Sequence, residues 1–175
     1  MNQDLKKEKS AKEAFKLIEP DLKKDTIIGI GTGSTTNFFI EELNKARIQI
    51  KGVVCSSNAS EELINKSYDI FSLNEVHGID FYVDGADEYN DRKELIKGGG
   101  GALTREKILA YSSDKFICIV DETKHTDLLG RFPLPIEVIE VARSAISRDL
   151  MKMGGRPVFR SGFITDNGNQ IIDIH

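Results

Sequence analysis

The sequence TIIGIGTGST, residues 26–35, indicates the fold class most directly, because it joins a short apolar run to a glycine-rich turn. The run, residues 26–30, is apolar at successive positions, as in strands of a parallel sheet that is covered on both faces. The segment after the turn carries Phe38, Phe39 and Leu43 at helical spacing. A strand, a tight turn and a helix in this order predict the repeating unit of an α/β protein.

The same order of elements recurs along the chain. Further apolar runs predict strands at residues 52–55, 81–83 and 116–120. Apolar residues at helical spacing predict helices before the first strand, after a capping residue at Asn58, and from Ala102. Ligands of open α/β proteins bind outside the carboxyl ends of the strands. Since each predicted strand ends in a cluster of Gly, Ser, Thr, Asp or Lys, we expect the functional site at that edge of the sheet.

The pattern changes in the last part of the chain. A helical stripe of apolar residues extends from Ala142 to Met153, and DNGN at residues 166–169 predicts the turn of a β-hairpin. We therefore predict an α/β fold with two parts. The first is a catalytic domain over residues 1–130 with an open, Rossmann-like, mostly parallel sheet, and the second is the start of a smaller α+β lobe over residues 131–175.

Bulk composition narrows the classes of partner. The 175 residues suffice for one hydrophobic core, and the formal net charge of -4 gives no general attraction to nucleic acid or to anionic membranes. No apolar run approaches the ~20 residues of a membrane span. The polar, Lys-rich N-terminus lacks the apolar core of a secretory signal. We expect a cytoplasmic protein with no nucleic-acid and no membrane partner.

The cysteines and histidines do not indicate a metal site. Cys55 and Cys118 each lie inside an apolar run, which predicts buried strand residues of a reduced protein rather than a disulfide. His77, His125 and His175 have no metal-ligand spacing with either cysteine.

The glycine-rich turn has two interpretations. A dinucleotide fingerprint needs a third glycine where Ser34 stands, and a P-loop needs a Lys followed by Ser or Thr, so both nucleotide motifs are disfavoured. The hydroxyls of Thr32, Ser34 and Thr35, together with the N–H groups at a helix N-terminus, would bind a phosphate. A plain tight turn with a Ser or Thr cap explains the same residues equally well.

Two further clusters follow predicted strands. Asp84, Asp87 and Glu88 place three carboxylates within five residues, which suits acid–base chemistry, hydrogen bonds to sugar hydroxyls, metal binding or a solvated acidic turn. The metal interpretation is disfavoured because no histidine lies nearby. Lys97 precedes four consecutive glycines, residues 98–101, whose entropy cost on folding favours a loop that approaches a ligand over a flexible linker.

Glu106 gives the sharpest clue to chemistry. On a helix that starts near Ala102, the Glu106 carboxylate projects from the middle of an apolar face that contains Leu103 and Leu109. We expect it to be partly desolvated, which would raise the pKa of its carboxyl and make it a plausible base near neutrality. The alternative is a carboxylate at the rim of the core that pairs with a nearby lysine.

Together these clusters resemble the type A ribose-5-phosphate isomerases. The matching stretches, in order, are GIGTGSTT, SSNAS, YVDGADE, IKGGGGALTREK, FICIVDETK, FPLPIEV and GGRP, and they cover nearly all of the chain. The resemblance implies an aldose–ketose isomerase that interconverts ribose 5-phosphate and ribulose 5-phosphate through a cis-enediolate, in the non-oxidative branch of the pentose phosphate pathway.

The resemblance also implies roles for individual residues. Glu106 would be the base, Lys97 would stabilise negative charge, and Asp84 or Asp87 would assist ring opening. The implied substrate-binding residues are Thr32, Gly33, Ser34, Thr35, Asp84, Gly85, Ala86, Asp87, Lys97, Gly98, Gly99, Gly100 and Lys124. No metal and no cofactor would be needed, and the partners would be a small sugar phosphate and a second copy of the chain in a homodimer.

Two expectations complete the resemblance. A non-catalytic sugar-phosphate sensor is the alternative function, although it would not require a carboxylate on an apolar helix face. Members of the family usually continue past the residues that match the last stretch of this chain, so we expect the second lobe to be incomplete at His175.

Overall fold

A computed structural model describes residues 2–64 and 67–175 of the chain. The chain divides into two compact units. The first comprises Met1–Gly85 and Arg105–Thr123, and the second comprises Ala86–Thr104 and Lys124–His175. The predicted boundary between domains at residue 130 stays a prediction.

Helices and strands alternate along most of the chain. The helices are α1 (Gln3–Ile18), α2 (Ser34–Ala46), α3 (Asn58–Ile64), α4 (Leu103–Tyr111) and α5 (Arg143–Lys152). The strands are β1 (Ile27–Ile30), β2 (Gly52–Cys55), β3 (Ile79–Asp84), β4 (Glu88–Tyr89), β5 (Leu95–Ile96), β6 (Ser113–Cys118), β7 (Leu134–Val138), β8 (Pro157–Phe159) and β9 (Gln170–Ile174). Short 3-10 turns lie at Glu19–Asp21, Leu73–Glu75, Glu122–Lys124 and Glu140–Ala142.

The first unit contains a four-stranded parallel sheet in the order β2-β1-β3-β6. The predicted open α/β fold is therefore confirmed. Strand β1 lies in the centre, and its register places Gly29 opposite Tyr82 of β3. Both β1 and β2 are buried along their whole length. The prediction of coverage on both faces is wrong for β6, an edge strand in which Phe116 is 38% exposed.

The larger hydrophobic cluster of the first unit forms between this sheet and three helices. Its fully buried side chains are Ala11, Ile18, Ile28, Ile30, Phe39, Ile40, Leu43, Val53, Ile64 and Val83. Helices α1 and α2 supply the helical members at the three- and four-residue spacing that the sequence indicated, except for Ile64, which is the last residue of α3. This packing fixes the point at which β1 ends and α2 begins, and so it fixes the glycine-rich turn.

The start of α3 differs in detail from the prediction. Asn58 lies in the first turn of the helix rather than before it. Ser57 is the capping residue, because its Oγ accepts the backbone N–H of Ser60 at 3.2 Å.

The second unit contains two antiparallel sheets, a β4–β5 pair and the three-stranded sheet β7-β9-β8. The predicted turn near residues 166–169 is confirmed by hydrogen bonds from Thr165 N–H to the Asn169 carbonyl and from Gly168 N–H to the Thr165 carbonyl. The predicted apolar stripe on α5 is not a core face, since no residue of the helix is buried and Met153 is 83% exposed.

Both cysteines are free. Cys55 is buried at the end of β2, and its burial, assisted by the negative charge of Glu61, raises the pKa of its thiol to about 12. The prediction of burial is wrong for Cys118, which is half-buried because it lies on the edge strand. Within residues 2–64 and 67–175, no helix has the length and apolar character needed to cross a membrane.

Candidate active site

The carboxylate of Asp84 organises the strand ends of the first unit. It lies at the last position of β3 and is fully buried. Its Oδ1 accepts the backbone N–H of Thr32 at 3.1 Å, the backbone N–H of Gly85 at 2.7 Å and the hydroxyl of Thr36 at 3.5 Å. Its Oδ2 accepts the hydroxyl of Tyr82 at 2.7 Å. These donors satisfy a buried charge and attach the end of β3 to the turn after β1.

Two glycines at the end of β1, Gly29 and Gly31, make room for side chains of β3. A Cβ on Gly29 would lie 2.7 Å from Cδ2 of Tyr82, and a Cβ on Gly31 would overlap the Asp84 carboxyl group. Gly31 follows Gly29 of β1 by two positions, as Asp84 follows Tyr82 in β3, so each pair faces the same side of the sheet. The glycines at these two positions therefore permit a tyrosine and an aspartate to pack against β1.

The turn itself, residues 32–35, leads directly into α2. Gly33 is the N-cap, with φ of 119°, and it offers no side-chain hydrogen bond to the first turn of the helix. Gly33 and Ser34 are exposed, and Thr32 and Thr35 are half-exposed. Exposed hydroxyls beside the N–H groups of a helix N-terminus form a surface suited to an anion such as phosphate.

Glu106 lies in the first turn of α4 and is only 4% exposed. Leu109, three residues further along the same helix, is also buried. The neighbouring Lys107 and Thr104 are exposed, as the predicted helical face required. Glu106 lies close enough to Tyr82 for its charge to act on the phenol. Burial, then the charges of Asp84 and Glu106, raise the pKa of Tyr82 well above its ordinary value, and a hydrogen bond with Ser56 opposes them weakly. The phenol therefore keeps its proton.

In the second unit, Asp87 holds the start of the glycine run. Its Oδ2 accepts the backbone N–H of Gly99 at 2.8 Å, and its own N–H donates to the carbonyl of Ile96. A Cβ on Gly99 would lie 2.6 Å from Oδ1 of the same carboxylate and 2.8 Å from Cζ of Phe132. Asp87 and the glycines thus form a fixed arrangement just after β5.

The glycine run is anchored rather than flexible. Gly98 has φ of 102°, a conformation that favours glycine, and the Gly99 carbonyl accepts Nη1 of Arg160 at 3.0 Å. Arg160 also forms an ion pair with Asp173 of β9. A run held in this way is not a flexible linker, and its role in binding stays a prediction. Lys97 precedes the run and is half-buried.

The remaining predicted residues divide between the two units. Gly85 lies in the first, whereas Ala86, Gly100 and Lys124 lie in the second, and Lys124 is half-buried at the end of a 3-10 turn. Among residues 2–64 and 67–175, no group of three or more His, Cys, Asp or Glu side chains could hold a metal ion.

Two polar residues of this region were not identified from the sequence. Ser56 follows β2, and its Oγ lies 2.8 Å from Oγ1 of Thr32. Tyr82 lies two residues before Asp84, so the alternation of a strand places both side chains on one face. That alternation, and the position of Ser56 at a strand end, were the available signals.

The first unit has a buried aspartate and an exposed hydroxyl turn at the strand ends of an open α/β sheet, and a buried glutamate in helix α4. The strand ends of such a sheet are where ligands of open α/β folds bind. Comparison with known proteins identifies the class more closely. The family model for ribose 5-phosphate isomerase A (phosphoriboisomerase A) matches residues 51–175. The chain is 54% identical over 177 aligned positions to the ribose-5-phosphate isomerase A of Mannheimia succiniciproducens, and the match covers 100% of this chain and 79% of that protein.

Solved structures of proteins with the same name have the same fold as this chain. The crystal structure of ribose 5-phosphate isomerase A from Neisseria gonorrhoeae is 50% identical, with a TM-score of 0.94 over 99% of this chain and 77% of that chain. A D-ribose-5-phosphate isomerase in complex with phospho-erythronic acid is 42% identical, with a TM-score of 0.91 over 99% of this chain and 80% of that chain.

The chain belongs to the ribose 5-phosphate isomerase A family. It is accordingly an aldose–ketose isomerase for ribose 5-phosphate and ribulose 5-phosphate, and the alternative of a non-catalytic sensor is not favoured.

Proposed function

We propose that Glu106 is the base of this isomerisation and that the reaction passes through a cis-enediolate. The observation that supports the proposal is the burial of the Glu106 carboxylate, 4% exposed in the first turn of α4. A carboxylate withdrawn from water is a stronger base than a solvated one.

The proposed reaction begins with the open-chain aldose phosphate. Glu106 removes the proton from carbon 2, the electron pair forms the double bond between carbons 1 and 2, and the carbonyl π electrons move to oxygen 1. The ammonium of Lys97 stabilises the negative charge that develops there. Glu106 then returns its proton to carbon 1, while the proton of the carbon 2 hydroxyl is transferred to oxygen 1, and the ketose results. One carboxylate serves both proton transfers.

We also propose the binding roles implied by the sequence. The hydroxyls and N–H groups of residues 32–35 bind the phosphate, and Lys124 adds positive charge. Asp84 and Asp87, with the backbone that follows each of them, contact the sugar hydroxyls, and one of these carboxylates assists ring opening. The exposure of Gly33 and Ser34 and the anchoring of the glycine run by Asp87 support these assignments.

Proton exchange tests the role of Glu106. In deuterated solvent, the Glu106→Gln variant should exchange the carbon 2 proton ~10²–10⁴-fold more slowly than the parent protein, because the amide cannot accept a proton. Glu137 is a half-buried glutamate of strand β7, and Glu137→Gln is the matched control. This variant should exchange the carbon 2 proton at the parent rate. Near-normal exchange by Glu106→Gln would make Asp84 or Asp87 the leading candidate for the base.

The proposal includes the absence of a cofactor. Turnover of ribose 5-phosphate should be unchanged after prolonged treatment with EDTA, because proton transfer and charge stabilisation are supplied by side chains. Loss of turnover in EDTA and its return with a divalent ion would contradict this point.

We propose finally that the enzyme acts in the cytoplasm as a homodimer, as the family resemblance implies. Light scattering at micromolar protein concentration should give twice the chain mass of 19.5 kDa. A mass that stays at 19.5 kDa across the concentration range of the assay would contradict the dimer.

A further inference from the structure

We propose that Tyr82 is a positioning residue for the isomerisation: its hydroxyl holds the Asp84 carboxylate in the orientation that fixes the turn of residues 32–35. The inference rests on the proposed function of that turn in binding phosphate. Tyr82 itself does not contact the reacting atoms in this account and acts through Asp84.

Tyr82, Asp84, Thr32 and Ser56 form a chain of hydrogen bonds. Tyr82 donates its hydroxyl to Oδ2 of Asp84 at 2.7 Å, and Oδ1 of Asp84 accepts the N–H of Thr32 at 3.1 Å. The Thr32 hydroxyl lies 2.8 Å from the Ser56 hydroxyl. The chain of hydrogen bonds connects the ends of β1, β2 and β3, and Thr32 is the member of it that belongs to the turn.

Packing leaves the Tyr82 ring little freedom. The side chain is fully buried, and its ring stacks on that of Phe116 with centroids 5.5 Å apart and an interplanar angle of 29°. On the other side, the absence of a side chain at Gly29 admits the ring edge. A side chain held in this way has already lost its rotamer entropy, so its hydroxyl is a preorganised donor.

The chemical state of the phenol agrees with this role. Burial and the adjacent carboxylates raise its pKa, so the hydroxyl remains protonated throughout the range in which an enzyme of this kind works. Tyr82 therefore acts as a hydrogen-bond donor and not as a proton carrier.

A comparison with Tyr68 separates positioning from simple packing. Tyr68 belongs to the same unit and also donates its hydroxyl within the protein, but its acceptor is the backbone carbonyl of Leu43 at 2.9 Å. A tyrosine that only needed to satisfy its hydroxyl could do so in this way. Tyr82 instead donates to the carboxylate that holds the first N–H of the turn, so losing its hydroxyl alters a group that we assign to substrate binding.

The experiment compares Tyr82→Phe with Tyr68→Phe, since both changes remove one hydroxyl and keep the ring. For Tyr82→Phe we expect kcat/KM for ribose 5-phosphate to fall ~10-fold to ~100-fold, the range for removing a hydrogen bond to a charged acceptor. We expect most of this fall in KM, and a parallel rise in the inhibition constant of inorganic phosphate, which probes the turn alone. Tyr68→Phe should lower the unfolding temperature without changing either constant.

A double-mutant cycle tests whether the effect passes through Asp84. Adding Tyr82→Phe to Asp84→Asn should change kcat/KM by less than ~3-fold if both side chains act along one path. A full multiplicative effect in the double variant would overturn the proposal. So would unchanged KM and phosphate inhibition for Tyr82→Phe, or an equal kinetic effect from Tyr68→Phe.

A second variant covers the case in which Tyr82→Phe does not fold. Asp84→Asn alone weakens the bonds from Tyr82 and from the Thr32 N–H and should raise KM and the phosphate inhibition constant together, whereas unchanged constants would overturn the proposal. The Glu106→Gln exchange experiment is independent of all these variants. Normal proton exchange by Glu106→Gln, together with altered phosphate inhibition of Tyr82→Phe, would reject Glu106 as the base and retain the positioning role of Tyr82. Slow exchange by Glu106→Gln, together with unchanged phosphate inhibition of Tyr82→Phe, would retain the base and reject the positioning role.

Discussion

Replacing Gly31 by alanine should lower the free energy of unfolding more than replacing a glycine of the same unit that has open space at its Cβ position. The added Cβ would overlap both the carboxyl group and the Cβ of Asp84, and no rotation of the Asp84 side chain moves its own Cβ. Asp84 would have to change its rotamer, which breaks the hydrogen bonds with Thr32 and Tyr82. In addition β1 and β3 would have to separate, which disturbs the centre of the sheet.

The cost follows from the bonds that Asp84 would lose. Each buried polar group left without its partner costs about 1–3 kcal/mol, and groups that bond a charge lie at the upper end. Two such bonds give about 3–6 kcal/mol, a large part of the 5–15 kcal/mol that a typical domain has in total. For a chain of this size, that corresponds to a fall in the unfolding temperature of roughly 6–24 °C.

Thermal and urea unfolding of Gly31→Ala and Gly78→Ala would test this reasoning. Gly78 is the matched control, because a Cβ there would meet nothing nearer than the Ser112 carbonyl at 3.8 Å. Its substitution should change the free energy of unfolding by less than about 1 kcal/mol. If Gly31→Ala unfolds within about 1 kcal/mol of the parent protein, the packing argument for the glycine-rich turn is wrong.

Four other outcomes are expected. Lys97→Ala should lower kcat by ~10²–10³-fold and raise KM, measured by a coupled assay, because charge stabilisation at oxygen 1 is lost; an unchanged kcat would contradict that role. Unphosphorylated ribose should lose kcat as well as affinity, since phosphate binding positions the reacting carbons, whereas equal kcat for both sugars would contradict it. Cys55, whose buried thiol has a pKa of about 12, should resist alkylation at pH 8 in the native protein and react in urea. Although burial acts to raise the pKa of Glu137, hydrogen bonds from Thr104 and from the turn at residues 165–169 lower it below the ordinary value of 4.5. Its stabilising effect is therefore present above pH 4.5 and is lost as the pH falls through the lowered pKa of the folded state. Glu137→Gln should therefore flatten the acid limb of the unfolding temperature, and an unaltered limb would show that other groups determine it.

The sequence predicted the fold well where periodicity and motif agreed. The continuous apolar runs predicted β1, β2 and β3, and helical spacing predicted α2 and placed Glu106 on a buried face, because local pattern and burial coincide there. For β6 the sequence predicted a strand but not its exposure, since an apolar run does not reveal whether a strand lies at the centre or the edge of a sheet.

The hydrogen bonds within the site were not accessible from the sequence. Asp84 was identified as a candidate from the sequence, but its hydrogen bonds were not. The bond with Thr32 joins residues 52 positions apart and depends on the register of β1 against β3. The bond with Tyr82 joins two side chains on one face of β3. A register change of one residue would place Gly29 and Gly31 on the opposite face from Tyr82 and Asp84. Motifs give the residue types at each strand end, and only the sheet register determines which of them bond.

The glycine-rich turn illustrates why a motif can carry more than one physical requirement. From the sequence alone, its glycines were consistent with a phosphate-binding surface or with a plain turn, and both explanations concern the backbone of the turn itself. The structure adds a requirement from the neighbouring strand, because Gly29 and Gly31 are small to admit Tyr82 and Asp84, whereas Gly33 adopts a positive φ at the start of α2. Substitutions at Gly29 and Gly31 should therefore displace side chains of β3, whereas a substitution at Gly33 should strain the backbone of the turn. The effects of the three glycines can thus be distinguished by experiment although they belong to one motif.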